Sequence, residues 1–302
     1  MVMNTREPDW AYAAKSLLKV LVVAAALFLA LNVAERVLWL FVGFDDERTA
    51  LVYGTAARVV NPDKRLTYGY SDGGGLLGTT YTLRGEPRRA GPSEDRKEYE
   101  ITEDLFGAVR ASSFDGPSGS LADTIDSVDW ELGVDRAVTE EARKTVDALP
   151  QTLRAVAVLE FTHPMTTEQL VAFNRRHEFC GGWDVSYIYS PYYYDDSSYD
   201  PPLSAVVWNR GLTKEPWEDL TYRCETEPEA ALAEFRRWVG LLDDGDDLEE
   251  FELSHASLTG TAKEGVVYGL VIDSWKLADL RKLLDDPEVR TVNLTDVAFD
   301  LG

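Results

Sequence analysis

The sequence predicts an α+β protein with one N-terminal transmembrane helix, and three observations lead to this prediction. A single long apolar stretch lies near the N-terminus, from Leu17 to Ala34. After it, strand-like runs separated by Gly, Pro and Asp turns fill the first part of the chain, and strand patterns alternate with short amphipathic helices in the second. We therefore expect a short cytoplasmic tail (1–16), a transmembrane anchor (17–42), a β-rich segment (45–150) and an α/β domain (151–302).

The apolar stretch is long enough to cross a membrane once. Its roughly 18 residues form ~27 Å of helix, which nearly matches a hydrocarbon core of about 30 Å. Lys15 and Lys19 precede the stretch, and Asp45, Asp46 and Glu47 follow it. The positive-inside rule therefore predicts a cytoplasmic N-terminus and an extracytoplasmic C-terminal part. A cleavable signal peptide and a buried helix of a soluble protein are alternatives, although no small-x-small cleavage site follows the apolar block.

The part of the chain beyond the apolar stretch is strongly acidic. The protein has 30 Lys and Arg and 53 Asp and Glu, which gives a net charge of −23. Residues 1–44 carry a net charge of +1, so the remainder carries −24. Such a charge disfavours nucleic acid and anionic lipid as partners, and it favours solubility or a basic partner.

The two cysteines, Cys180 and Cys224, both lie on the predicted outer side, where thiols can be oxidised. A disulfide between them would close a loop of about 45 residues and stabilise the fold by ~4 kcal/mol in the chain-entropy model. Two separate buried thiols are the alternative. Mass spectrometry under non-reducing conditions distinguishes these two states.

The β-rich segment contains several short strands and one helix. Asn61–Lys64 is predicted as a turn and Ser71–Gly75 as a break between strands. Thr139 is the expected N-cap of a helix that ends at Pro150, since Glu140 and Glu141 suit a first helical turn. The predicted strands are Ala50–Val60, Leu66–Tyr70 and Gly78–Arg84, with weaker candidates at Tyr99–Arg110 and Asp129–Glu131.

The α/β domain repeats a strand–helix–strand order twice. Thr166 or Thr167 is expected to cap the first short helix and Ser274 the last, with a longer helix around Glu229–Leu242 between the two units. This order predicts a ferredoxin-like split β-α-β sandwich with an inserted helix; an α/β sheet of another topology is the alternative. The predicted strands are Arg154–Phe161, Val185–Tyr189, Ala205–Trp208, Gly265–Ile272 and Val289–Phe299.

Two stretches of this domain resemble the sigma factor regulator C-terminal domain. They are Ala155–Phe161 followed by Pro164–Leu170, and Gly265–Val271 followed by Leu280–Arg290. That family lies outside the membrane in anti-sigma-type regulators of Gram-positive bacteria. The resemblance implies an extracytoplasmic sensing or interaction domain that belongs to a sigma factor regulatory system. It supplies packing patterns and no catalytic residues. A cytoplasmic tail of about 16 residues is too short to enclose a sigma factor, so direct sigma factor binding is not expected.

Candidates for metal binding are weak. The three histidines, His163, His177 and His255, match no zinc-ligand spacing, and His177 is expected at a helix end. The acidic run Asp243–Asp247 lacks the order of an EF-hand calcium loop, so we expect a solvated turn, with calcium binding as the alternative. No metal or other cofactor is predicted.

The most unusual local composition is a tyrosine-rich segment in the α/β domain. Tyr187 and Tyr189 alternate as on one face of a strand, and we expect them in the core. The residues that follow are predicted to form a loop that binds a membrane or envelope protein, or a wall glycan, by stacking and hydrogen bonding; core packing of these tyrosines is the alternative. This candidate site consists of Tyr192, Tyr193, Tyr194, Asp195, Asp196 and Tyr199.

Two classes of function follow from these observations. The sequence has no nucleophile–base pairing, no metal-ligand spacing and no phosphate-cradling glycine loop. We therefore predict a non-enzymatic, single-pass membrane protein that senses or binds a partner outside the membrane. The alternative is a cell-surface enzyme that acts on glycan or peptide with paired carboxylates.

Overall fold

The chain forms two compact units, Met1–Asp45 and Asp46–Gly302. Their boundary lies directly after the predicted anchor. In a computed structural model of the protein, the described residues are 10–42, 46–75, 78–92, 95–104, 106–112, 120–130, 133–177, 185–194, 202–213 and 227–299.

The described part of the first unit is one long helix, α1 (Trp10–Val42). Its portion Trp10–Ala34 is long and apolar enough to cross a membrane, and none of its most apolar window is buried. These 25 residues extend ~38 Å, which exceeds the hydrocarbon thickness of about 30 Å. The predicted apolar helix is confirmed and begins earlier than expected. A membrane anchor and a signal sequence share these properties, and the orientation stays a prediction.

The second unit begins with a helix, α2 (Asp46–Val60), so the predicted strand Ala50–Val60 is wrong. The residues from Val52 to Val59 are all buried. A helix that is buried on almost every side has no polar stripe, and its continuous apolar run resembles that of a buried strand. The helix packs on the first sheet, where Gly54 lies against the ring of Tyr81.

The first sheet has four antiparallel strands in the order β1-β2-β3-β4. The strands predicted at Leu66–Tyr70 and Gly78–Arg84 are confirmed, and the candidate Tyr99–Arg110 divides into two strands around Gly107. Ser71–Gly75 belongs to a strand instead of breaking one, because a bulged register carries the pairing through these small residues. The strands are β1 (Lys64–Gly75), β2 (Gly78–Pro87), β3 (Lys97–Asp104) and β4 (Val109–Ala111).

Two helices connect the sheets, α3 (Ser120–Asp126) and α4 (Arg136–Asp147). The N-cap of α4 is Asp135, whose carboxylate accepts hydrogen bonds from two backbone N–H groups of the first turn. The predicted cap Thr139 is wrong: it lies inside the helix, where its hydroxyl donates to the carbonyls of Asp135 and Arg290. An Asp earlier in the sequence satisfied the same capping requirement. Asp129 and Trp130 are not in a strand.

The second sheet has five strands in the order β7-β6-β8-β5-β9, and every neighbouring pair is antiparallel. Both strand–helix–strand units contribute to it, which confirms that they share one sheet. All five predicted strands exist with shifted ends. They are β5 (Arg154–Met165), β6 (Val185–Ser190), β7 (Val206–Trp208), β8 (Val267–Lys276) and β9 (Val289–Ala298).

The helices of this part include the predicted inserted helix. Thr166 is confirmed as a cap: its backbone N–H donates to the side chain of Gln169, and its hydroxyl accepts from the Gln169 N–H. Ser274 is not a cap, because β8 continues through it before the last helix begins. The helices are α5 (Thr167–His177), α6 (Glu227–Val239), α7 (His255–Glu264) and α8 (Leu277–Leu283), with a 3₁₀ turn at Glu249–Phe251.

The core of the second unit is centred on aromatic side chains. One large cluster includes residues from both sheets, for example Leu83 of β2 and Leu159 of β5. Tyr187 and Tyr189 are buried, as predicted. The two tyrosines take part in a series of ring contacts with centroid distances of 5.1–6.4 Å, which joins β6 and β7 to helix α6. The rings are those of Tyr187, Tyr189, Trp208, Phe235 and Trp238.

Candidate functional site

The described part of the predicted tyrosine site lies directly after β6. Tyr193 and Tyr194 are exposed by 37% and 59%, whereas Tyr192 is half-buried against a second apolar cluster. Tyr193 and Leu203 exchange backbone hydrogen bonds of 2.9 and 2.8 Å, which hold this segment in an isolated bridge. The other predicted residues, Asp195, Asp196 and Tyr199, lie outside the described residues.

Trp130 extends this surface. Its indole N–H donates to the carbonyl oxygen of Tyr192 at 3.2 Å, and its ring meets Tyr268 edge-on at 5.2 Å. Trp130 is itself exposed, so an exposed indole ring is held to the backbone of the segment that carries the two exposed tyrosines. We name Trp130, Tyr193 and Tyr194 the aromatic surface.

The surroundings of the aromatic surface are acidic. Burial raises the pKa of the Tyr192 hydroxyl, and the negative charges of Glu252 and Asp126 raise it further. Nearby carboxylates repel anionic partners and attract cationic ones. The aromatic surface therefore combines exposed rings with a local field that suits a basic partner.

The predicted disulfide lies outside the described residues, because Cys180 and Cys224 fall in the segments 178–184 and 214–226. The bridge stays a prediction.

The acidic turn Asp243–Asp247 is attached to helix α2 by ion pairs. The guanidinium of Arg48 contacts Asp243 at 2.7 Å and Asp246 at 2.6 Å. The carboxylate of Asp247 accepts a hydrogen bond of 3.2 Å from the Val109 N–H. These carboxylates bind protein donors, and no group of three potential metal ligands occurs among the residues that the structure describes.

The three histidines lie in separate places. His163 contacts the hydroxyl of Thr162, and His255 lies 3.2 Å from a carboxylate oxygen of Asp244. His177 is the last residue of α5, as expected, and its Nε2 atom lies 2.6 Å from the carboxylate of Asp286.

The sequence analysis missed an open cleft of about 600 Å³ beside His177. Among the residues that the structure describes, four cationic side chains and one carboxylate, that of Asp279, line it. This excess of positive charge contrasts with the net charge of −23 on the whole chain. The lining residues are Arg154, Arg176, His177, Ser274, Trp275, Lys276, Asp279, Lys282 and Leu283.

The cleft is built where β5 begins and β8 ends. Arg154 and Lys276 are paired neighbours on these antiparallel strands, so both cations lie at the same end of the two strands. The end of α5 contributes Arg176, and α8 contributes Lys282. These residues are far apart in the sequence and follow no spacing rule, and therefore no motif could have revealed them.

A β-bulge shapes the wall of the cleft. The ladder between β5 and β8 shifts register so that Asp273 and Ser274 lie opposite the single residue Val156. Ser274 has a φ of 56°, in the left-handed region that costs a non-glycine residue ~1–3 kcal/mol. The guanidinium of Arg154 donates to the Ser274 carbonyl oxygen at 2.9 Å and holds this conformation.

The bulge separates two charged environments. Asp273 is 1% exposed, and its carboxylate accepts hydrogen bonds from Arg65 of β1 at 2.9 and 3.2 Å. Arg88, which follows β2, lies 3.8 Å from the same oxygen and donates to Ser186 of β6. The buried Asp273 thus connects the two sheets, while the next residue, Ser274, lines the cleft.

A charge network fixes the α5 side of the cleft. Arg176 contacts the carboxylates of Asp286 and Glu288, and His177 shares Asp286. Burial alone would raise the pKa of Asp286. Three interactions outweigh burial and lower this pKa below its usual value: a hydrogen bond from the backbone N–H of Glu288, a hydrogen bond with the His177 side chain, and the positive charge of Arg176. The network holds Arg176 and His177 at the cleft edge.

The fold and these sites define an α+β protein with an N-terminal apolar helix, an aromatic surface and a basic cleft. Comparison of the chain with protein-family models, with curated proteins and with solved structures finds no match. The assignment of function therefore rests on the geometry and on the residues themselves.

Proposed function

We propose that this protein is a single-pass membrane protein whose C-terminal unit lies outside the membrane and acts by binding a partner. The observations that support this proposal most strongly are the apolar helix Trp10–Ala34, whose most apolar window is not buried, and the extensive core that the second unit has of its own. An exposed apolar helix of this length is stabilised by the hydrocarbon core of a membrane. Lys15 and Lys19 on the N-terminal side favour a cytoplasmic N-terminus.

The finer fold assignment belongs to the same proposal. Without β7, the second sheet has the order β6-β8-β5-β9, with α5 between β5 and β6 and α8 between β8 and β9. This arrangement supports a ferredoxin-like split β-α-β sandwich in which β7, α6 and α7 are inserted between β6 and β8. The resemblance to the sigma factor regulator C-terminal domain agrees with it and suggests a role in sigma factor regulation.

The aromatic surface is the proposed contact for a membrane or envelope protein. Exposed Trp and Tyr side chains bury large areas at a low entropy cost and dominate many interfaces. The acidic surroundings of Tyr192 favour a partner with basic residues.

Site-specific photo-crosslinking in cells tests this contact. A benzoylphenylalanine is placed at Tyr194, and at Phe106 as a control, because Phe106 is 94% exposed and lies in the loop between β3 and β4. We expect a discrete covalent adduct from position 194 that is absent from position 106 and that weakens in Tyr193→Ala. Adducts of equal yield at both positions, or none at position 194, would contradict a binding role for this surface.

A further inference from the structure

We propose that the basic cleft binds a small organic molecule through a phosphate monoester group. This site is separate from the aromatic surface and does not depend on the function proposed for it. The inference rests on three observations: the cleft volume, the local charge and the strained bulge in its wall.

The volume fits a small molecule. A cleft of about 600 Å³ lies within the range of roughly 300–1,000 Å³ that is typical of ligand sites. Trp275, which is half-buried, provides an aromatic wall beside the cations. A ligand with both an anionic group and a ring or sugar would therefore contact both parts of the cleft.

The local charge selects an anion. The cleft is lined by the four cations Arg154, Arg176, Lys276 and Lys282 and by Asp279, which pairs with Lys282 at 2.8 Å. When Asp286 and Glu288, which contact Arg176, are counted as well, four positive and three negative groups of the described residues leave one net positive charge. In a chain of net charge −23 the long-range field repels anions, so an anion would be held here by direct contacts.

The chemistry of the donors favours phosphate. Two planar guanidinium groups line the cleft; that of Arg154 also donates to the Ser274 carbonyl oxygen, and that of Arg176 also pairs with Asp286 and Glu288. Lys276 and Lys282 supply point charges, and Lys282 also pairs with Asp279 at 2.8 Å. A phosphate monoester carries nearly two negative charges and three terminal oxygens, so it can accept hydrogen bonds from several walls at once. A carboxylate offers only two oxygens and one charge.

The bulge indicates that the wall is specifically shaped. Ser274 keeps an unfavourable backbone conformation although Gly would adopt it without strain. Strained residues are concentrated at binding sites, where their position matters more than their cost. The bulge places Ser274, Trp275 and Lys276 in succession along the cleft wall.

Lys276 is the residue to test, because its side chain is exposed and has no hydrogen-bond or ion-pair partner among the described residues. Lys276→Glu should therefore leave the fold intact while it reverses one charge in the cleft. Lys263→Glu is the matched control, since it changes the net charge equally at an exposed position of α7.

Isothermal titration of the full chain in detergent measures the effect, with glucose 6-phosphate, glucose and a short-chain phosphatidic acid as probes. We expect glucose 6-phosphate or phosphatidic acid to bind and glucose not to bind. Lys276→Glu should weaken that binding at least tenfold, with Lys276→Arg and Lys263→Glu within about threefold of the original protein. The phosphate probe that binds more tightly identifies a soluble phosphate or a lipid headgroup as the source.

Two results would overturn the proposal. One is the absence of binding by both phosphate probes at millimolar concentration. The other is equal weakening by Lys276→Glu and Lys263→Glu, because that would assign the attraction to net charge and not to the cleft. The titration does not involve the aromatic surface. A negative result in the crosslinking test at Tyr194 would therefore contradict the proposed function and leave the cleft proposal standing.

Discussion

The ion pair between Glu160 and Arg290 illustrates the cost of a buried charge. Glu160 is buried at the centre of the second sheet and accepts hydrogen bonds of 3.0 Å from Arg290 and from Asn293. Burial raises the pKa of Glu160, although Arg290 and Asn293 oppose the shift. Removal of Arg290 would leave a desolvated carboxylate without its counter-ion.

We predict that Arg290→Met lowers the free energy of unfolding by about 3–5 kcal/mol, as expected when one member of a buried pair is lost. Urea denaturation measures the change. Lys144→Met is the control, because its ion pair with Glu141 is exposed and should contribute less than ~1 kcal/mol. Similar losses in both variants would show that the pair at Glu160 is not special.

Asp286 should make stability depend on pH. Its pKa is lowered in the folded protein, so its contribution is present above its ordinary pKa of about 4 and is lost as the pH falls through the folded value. We predict that Asp286→Asn is less stable than the original protein at neutral pH and that the difference shrinks at about pH 3. Urea denaturation at both pH values checks this, and a difference that grows in acid would contradict it.

At the level of elements, helix α2 shows how tightly the first sheet is packed. A Cβ atom added at Gly54 would lie 2.7 Å from the Tyr81 ring, and Tyr81 is itself buried. We predict that Gly54→Ala destabilises the fold by about 1–3 kcal/mol through overpacking, despite the better helix propensity of Ala.

Gly260→Ala is the matched control for this prediction. Gly260 also lies in a helix, α7, and a Cβ atom there would have no neighbour within 4 Å. The substitution Gly260→Ala should therefore stabilise the protein by up to ~1 kcal/mol. Thermal unfolding of both variants measures the two effects, and a neutral Gly54→Ala would argue against close packing of α2 on Tyr81.

Local patterns predicted most strands but not every helix boundary. The strands β5, β6 and β8 are buried apolar runs between turn signals, and their positions could be predicted from sequence. Helix α2 could not, because its burial by tertiary contacts removed the polar face that reveals a helix. Ser274 was misassigned as a cap because nothing local to it indicates a bulge that only pairing with β5 creates.

The two candidate sites also differ in how far they could be predicted from the sequence. The tyrosine segment was predicted because its residues are consecutive, and Tyr193 and Tyr194 are exposed. The basic cleft assembles Arg154, Arg176 and Lys276 from three elements, so only the tertiary structure brings them together. Trp130 likewise joins the aromatic surface through a contact across 62 positions of sequence.

At the scale of the whole molecule, the second unit should fold without the first. Its core lies within Asp46–Gly302, and the exposed apolar surface of α1 belongs to the other unit. We predict that a chain without residues 1–45 is monodisperse without detergent and unfolds cooperatively. Gel filtration and circular dichroism check this prediction, and aggregation of the shortened chain would show that the second unit needs α1.

The central claim is that α1 spans the membrane with the second unit outside, and protease accessibility in protoplasts tests it most directly. The full chain carries an N-terminal and a C-terminal tag, and protease is added to intact protoplasts. The account predicts that the C-terminal tag is lost while a small fragment that contains the N-terminal tag and α1 stays in the membrane. Protection of the C-terminal tag until the protoplasts are lysed would contradict it.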